Sequence, residues 1–249
     1  MSGSKYDVIV SMSVYNRKEM TIKSIESFLE NSPDNSKLMC VDNGSTDGIR
    51  EVLSKWKNTK LDIHLSKTNL YPGNTVRYNL AKAPKAQMYY IADNDCYFGN
   101  MEWYDTAKRL FEYDPKISMI HNRKTCMRTH SPTKSQLKNK KVVEGIEFIQ
   151  WAHMGSFTMI NPEAKDIIVK HSRGRWIGGV FQPLVARRSS AKKTVKIIPG
   201  NVLDLSDEDL NNPENSEYYE KIWGDKGRLP VLHRRQKKLR KMQALNEKD

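Results

Sequence analysis

Four short apolar, β-rich runs fall within the first hundred residues, and after a polar break each is followed by apolar residues at helical intervals. Few folds accept that alternation. Residues 7–14 (DVIVSMSV) predict a strand, Tyr15-Asn16-Arg17 ends it, and Met20, Ile22, Ile25, Phe28 and Leu29 mark one face of a helix. Residues 38–41 predict a second strand, and Ile49, Val52, Leu53 and Trp56 line a second helix that Ser45 or Thr46 can cap. Residues 61–65 and 87–92 predict two more strands, with helical spacing over 74–83 between them. Strands separated by helices are joined by crossovers that return each strand in the same direction. The expected architecture is α/β, with a mostly parallel central sheet flanked by helices on both faces.

Ligands of such sheets bind beyond the carboxyl ends of the strands. Asn16, Asp42 and the pair Asp93 and Asp95 all fall at strand ends, far apart in sequence but converging in this architecture. Two carboxylates projecting from one strand end repel each other unless a cation sits between them. An oxygen-only site of that kind suits Mg2+ or Mn2+, ions that accompany phosphates. Taken alone, Asp93-Asn94-Asp95 also reads as a solvated turn, because Asp and Asn bond readily to their own backbone. The company of Asn16 and Asp42 is what points to a site.

Further along, residues 103–113 predict a helix, 117–120 a strand, 121–141 a polar basic loop, 155–161 (GSFTMIN) a strand, and 162–171 a helix opening on Pro162. Residues 194–198 predict a last strand, 204–220 an acidic loop-rich stretch, and 234–242 a basic helix. We expect one domain over residues 1–227, divided into halves at 1–120 and 121–227, and then a basic helix or tail at 228–249.

Charge is informative through its division. Residues 1–120 hold 16 Lys and Arg against 15 Asp and Glu, whereas residues 121–249 hold 26 against 14, so nearly all of the net charge of +13 lies in the second half. A one-sided excess attracts polyanions: nucleic acid, an anionic lipid surface or an acidic polysaccharide. No apolar run reaches transmembrane length and the first residues carry no signal or transit pattern. Cys40, Cys96 and Cys126 have neither disulfide-framework nor zinc spacing, which together predicts a cytoplasmic protein.

VIVSMSVYNR at 8–17, VDNGSTDG at 41–48 and IADND at 91–95 resemble, in order, three signatures of the inverting nucleotide-sugar glycosyltransferases with the GT-A fold, a family-2-like group that includes many bacterial and phage sugar transferases. The likeness covers residues 6–120 and, more weakly, 150–205. It implies a GT-A fold and a nucleotide-diphosphate sugar as donor, with UDP the family's commonest carrier. It also implies that Ser13, Tyr15 and Asn16 line the base and ribose pocket, that Asp42 accepts a hydrogen bond from the base, and that Asp93 and Asn94 face the ribose or the metal. Asp95 would be the principal ligand of Mn2+ or Mg2+ against the diphosphate, and Arg77 would add a charge-assisted contact to the donor. VKIIPGNVLD at 195–204 has the outline of the family's final motif, with Asp204 where a metal-binding histidine commonly stands. Positions 170–203 contain no carboxylate, although the family's base is expected there. This leaves Asp204, His153, Glu163 and Asp166 as base candidates.

The acceptor is argued from the basic half. Stretches 121–141, 170–196 and 228–241 hold 22 of the 42 Lys and Arg, with Trp151, Trp176 and Phe181 near them. Cations neutralise phosphates and aromatic rings stack on bases. The leading expectation is therefore transfer of a sugar to DNA carrying a hydroxymethylated pyrimidine, as in bacteriophage-type modified genomes, which would place the enzyme in a host cytoplasm. The target base would be drawn out of the stack against Trp151, Trp176 or Phe181, and Arg187, Arg188, Lys192 and Lys193 would meet the acceptor's phosphates. Two alternatives stand beside it. One is transfer to a cell-surface polysaccharide or lipid-linked sugar, with the terminal helix resting on an anionic membrane; the other is a nucleic-acid-binding module on a transferase fold without catalysis.

Overall fold

A computed structural model of the chain describes residues 4–124, 132–152, 155–173, 175, 177, 181–205, 220, 233, 236 and 237. The first half runs β1 (Tyr6–Val14), α1 (Lys18–Glu30), β2 (Ser36–Asp42), α2 (Ile49–Lys55), β3 (Leu61–Leu65), α3 (Pro72–Lys82), β4 (Ala86–Asp93), β5 (Cys96–Phe98), α4 (Glu102–Tyr113) and β6 (Ile117–His121). The second half continues with β7 (Arg123–Lys124), α5 (Lys134–Lys138), β8 (Lys141–Val143), β9 (Ile146–Gln150), β10 (Thr158–Ile160), α6 (Pro162–His171), α7 (Phe181–Arg188), β11 (Lys193–Ile197) and β12 (Val202–Asp204).

Among the described residues, nine strands form one sheet in the order β3-β2-β1-β4-β10-β6-β11-β9-β8, and three short strands form another, β5-β12-β7. The first four of the large sheet are parallel, as the strand–helix alternation requires. β10 then enters antiparallel to both β4 and β6, and β11 runs parallel to β6. Two reversals cancel, so β6 and β11 point the same way as β4 and all of these strands end at one rim.

Strand β1 is apolar almost throughout, as a central strand covered on both faces must be. Its Val8, Val10, Met12 and Val14 face one layer and Ile9 the other. On the first side α1 and α4 cover the sheet through a cluster of Phe28, Tyr90, Phe98 and Trp103, whose rings pair edge to face at centroid distances from 4.8 to 5.8 Å. On the second side α3, α6 and α7 contribute Val76, Leu80, Ala164, Ile168, Phe181 and Val185.

The segment 121–141, expected as a loop, holds β7 and α5 among its described residues. Thr133 and Gln136 close a capping box on α5, the side chain of each accepting from the other's backbone N–H. The hairpin of β8 and β9 and the helix α7 are further elements absent from the sequence reading. By its contacts the chain divides into two units, Met1–Lys124 with Thr133–Leu203, and Thr125–Pro132 with Asp204–Asp249. Most of the second unit, including the predicted acidic stretch at 206–219 and nearly all of the predicted basic helix, lies outside the described residues. No helix among the described residues is long and apolar enough to cross a membrane.

Candidate functional site

The parallel register brings the three motifs together. Ser13 lies beside Asp93 across the β1–β4 ladder, and Val14 beside Asp42 across the β1–β2 ladder. Ser13, Asn16, Asp42, Asp93, Asn94 and Asp95 thus gather at the carboxyl ends of three neighbouring strands.

Two asparagines hold this rim. The Asn43 amide donates to Ser13 Oγ at 3.0 Å and to the Val14 carbonyl at 3.1 Å, while its oxygen accepts from Leu70 N–H at 3.1 Å and Thr75 Oγ1 at 2.9 Å. One buried side chain therefore ties β1, β2, the loop at 66–71 and α3. Asn94 donates to the Asn16 carbonyl and to Thr21 Oγ1, both at 2.8 Å, and so fixes the turn after β4 against the start of α1. Asn16, at φ 53, accepts from Thr46 N–H through its side chain at 2.8 Å and donates its own N–H to Ser45 Oγ at 2.7 Å.

The acidic residues have distinct surroundings. Asp42 is fully buried; it accepts from Gly44 and Ser45 N–H and pairs with Arg50 at 2.5 Å, and Arg50 also donates to the Ser66 carbonyl. Asp93 accepts a short hydrogen bond from Ser156 Oγ. Asp95 Oδ2 pairs with Arg17 Nη1 at 3.2 Å, and its Oδ1 is buried without a hydrogen-bond partner.

A divalent ion suits this set. Mg2+ or Mn2+ is commonly held by one or two carboxylates, with substrate phosphates and water completing the shell. The bare Asp95 oxygen is the kind of buried acceptor that such an ion satisfies. Among the described residues no group of three or more His, Cys, Asp or Glu side chains is arranged to hold a metal.

Arg77 donates to the Ser172 carbonyl at 2.8 Å and to Asn74 at 3.1 Å, joining α3 to the end of α6. Glu163 accepts from Ser189 Oγ at 2.6 Å and from Ser190 N–H and Oγ, both at 2.8 Å. Burial alone would raise its pKa, but these donors outweigh that and hold the carboxyl below its usual range. Trp151 and Phe181 are buried, at 5% and 0% exposure, which withdraws both rings from a stacking surface. Arg187, Arg188, Lys192 and Lys193 are exposed. Lys193 begins β11 beside Ile117, the first residue of β6, and pairs with Asp114 at 2.5 Å. It therefore sits at the rim opposite Asp93. Asp204 is buried and belongs to the second unit. Asp166, exposed on α6, pairs with Lys165 at 3.0 Å. His153 and Trp176 lie outside the described residues.

Sequence reasoning missed Asn43 and Arg17, which lie inside the motifs but carry no carboxylate. It also missed a buried group on β11. Lys196 is 4% exposed, its Nζ has no hydrogen-bond partner, and it lies 5.1 Å above the Trp151 ring, which in turn stacks on His121 at 6.5 Å. Burial, and then the charge of Arg123, bring the Lys196 ammonium down to about 8.

The structure is similar to an S. aureus TarS fragment, with a TM-score of 0.58 and 15% identity over 82% of this chain and 62% of that one. It also resembles GalNAc-T7, solved with UDP, GalNAc and Mn2+, with a TM-score of 0.56 and 11% identity over 82% of this chain and 44% of that one. At such identities the likeness is one of fold, here the GT-A fold. A protein described as an uncharacterized glycosyltransferase of Rickettsia bellii (strain RML369-C) is 30% identical over 100 residues, which make up 40% of this chain and 14% of that protein. This chain thus spans less than two thirds of the length of these relatives. The family model for glycosyl transferase family 2 matches residues 9–177, which take in the second and third motifs whole and the first from its second residue, and on that match the chain belongs to glycosyl transferase family 2.

Proposed function

We propose that this chain transfers a sugar from a nucleoside-diphosphate donor, UDP being the first carrier to test, to a hydroxyl of a polyanionic polymer, with Mn2+ or Mg2+ against Asp95 and Asp93. The observation that carries the donor side is the buried, unpartnered Oδ1 of Asp95 at the rim where β1, β2 and β4 end. Bound there, the metal would neutralise charge on the departing diphosphate. Ser13, Tyr15 and Asn16 line the nucleotide's approach, and Asn43 and Asn94 keep that edge rigid. Asp42, saturated by Arg50 and two backbone N–H groups, acts by shaping the turn at 43–48, with its carboxylate at the edge of the base pocket. In the transfer the acceptor oxygen bonds to the anomeric carbon as the bond to the diphosphate breaks. The electron pair leaves on the diphosphate and the hydroxyl proton passes to a base, with inversion at carbon. Glu163, already accepting several hydrogen bonds, is a weak base; Asp204 and His153 are the residues to vary first.

The polymeric acceptor is supported by where the exposed cations lie. Counting ~3.3 Å per residue along the strands and ~4.8 Å per strand across them, Lys192 and Lys193 stand on the order of 20 Å from Asp93. A small acceptor at the metal would not reach them, whereas a chain would. Beside them a cavity of about 740 Å3, walled in part by Gln136, Asn139, Gln150 and Gln182, has room for one unit of such a chain. DNA bearing hydroxymethylated pyrimidines is the first acceptor to test. The burial of Trp151 and Phe181 favours a second reading, an anionic glycan, which needs no extracted base.

A thermal-shift screen of nucleotide sugars with and without Mn2+ tests the donor side, since a ligand of the folded state raises its melting temperature. Transfer assays on hydroxymethylated DNA and on phosphate-bearing glycans test the acceptor. No shift with any nucleotide sugar would sink the reading.

A further inference from the structure

Arg17 comes directly after Asn16 at the end of β1, and both have left-handed backbone, at φ 66 and 53. Residues with a Cβ seldom adopt that conformation unless their surroundings hold them in it. Here the holding contacts are Asn16 N–H to Ser45 Oγ at 2.7 Å, Thr46 N–H to Asn16 Oδ1 at 2.8 Å, and Lys18 N–H to Asp47 at 2.7 Å. Their effect is to turn the Arg17 side chain inward. It is 7% exposed, and its Nη1 lies 3.2 Å from Asp95 Oδ2. The side chain is bent onto the carboxylate that the donor reading assigns to the metal.

We propose that Arg17 is an internal counter-ion for Asp95 that passes to the donor's diphosphate when nucleotide and metal bind, and that until then it keeps metal affinity low. The proposal rests on the donor reading of Asp95. A divalent ion approaching Asp95 meets a guanidinium already seated on one of its oxygens. Two cations at one mostly buried carboxylate repel each other, and the surroundings screen them less than water does. A diphosphate changes the balance, because its oxygens accept from a guanidinium in the same forked geometry as a carboxylate. Arg17 can then leave Asp95 to the metal and keep an anionic partner in the diphosphate. Metal and nucleotide would therefore bind with positive coupling, each tightening the other by the same factor.

The test is titration of Mn2+ into the full chain, monitored by electron paramagnetic resonance of the free ion, with and without UDP. Three proteins are compared, the wild type, Arg17→Gln and Arg17→Lys, with melting temperatures to verify folding. Without UDP, Arg17→Gln is expected to bind Mn2+ about tenfold more tightly than the wild type, and its coupling between Mn2+ and UDP to shrink by a similar factor. Arg17→Lys, which keeps the charge, is expected to retain weak binding of Mn2+ alone. A merely structural arginine would give the opposite sign, since its loss would loosen the site. The proposal is overturned if folded Arg17→Gln binds Mn2+ no more tightly than a wild type that still takes up UDP with Mn2+. If the wild type takes up neither UDP nor Mn2+, the donor reading fails and the proposal fails with it.

Discussion

Asp95 and Lys196 are the two residues whose surroundings say most about this chain, and only one of them could be read in advance. The aspartate announces itself by company, because Asp93-Asn94-Asp95 alone also reads as a solvated turn, and it is Asn16 and Asp42 at neighbouring strand ends that point to a cation. Replacing it by Asn keeps the shape and removes the charge. Asp95→Asn should abolish the Mn2+-dependent part of any nucleotide-sugar thermal shift and lower transfer by about a hundredfold or more. Lys196 sits in VKII, where a lysine in a strand reads as an edge residue. It is instead 4% exposed, and its pKa is lowered from 10.5 to about 8. The folded state thus holds this proton less tightly than the unfolded chain does, and the charged lysine costs on the order of 3 kcal/mol. That cost is complete below pH 8 and fades between about 8 and 10.5. Lys196→Met should therefore raise the melting temperature at pH 7, with a gain that shrinks steadily as melts are repeated up to pH 10.5.

Among the elements, those with a strong period were legible and those made by turns were not. The spacing in α1 and the apolar runs of β1, β3 and β4 placed these elements to within a residue or two. The hairpin of β8 and β9 escaped notice because its turn is Glu144-Gly145, at φ 48 and 81, and glutamate is a poor signal for a turn that needs two left-handed residues. Gly145→Ala should weaken that hairpin by about 1–2 kcal/mol, measurable by denaturant melts, although nothing lies near enough to clash. Helix α7 was hidden by Pro183, which is tolerated in the first turn, where backbone N–H groups have no helical partner. Glu163, left as a base candidate because positions 170–203 hold no carboxylate, clamps α6 to the turn at 189–191. Glu163→Ala should cost about 1–2 kcal/mol at neutral pH. Because its pKa is depressed when folded, that contribution is lost as pH falls through a value below 4.5, so wild type and variant should converge in acid.

For the molecule as a whole, the division of charge was plain in the sequence but its geometry was not. Which rim the cations occupy depends on the direction of β11 relative to β4, and the sequence of β11 gives no clue to direction. Because β11 runs the same way as β4, Lys192 and Lys193 lie at the rim away from Asp93, and an acceptor that touched both places would have to be long. A variant with Arg188→Glu and Lys192→Glu should bind a polyanionic acceptor more weakly and with a shallower dependence on salt, while its nucleotide-sugar thermal shift stays unchanged. An equal loss at both ends would argue against separate donor and acceptor surfaces.

The short strand β10 has a mechanical meaning. β10 meets β4 and β6 through only three residues on each side, whereas β1 and β4 are paired along most of their length. The large sheet is thus joined at its middle by ladders as short as those at its far edge. Cooperative units of a protein part where the fewest backbone bonds must break, so amide exchange should divide along β10, with β1 and β4 opening last. A transferase of the proposed kind, holding a nucleotide at one rim while a long acceptor lies along the other, would gain from having a short stitch between the two tasks.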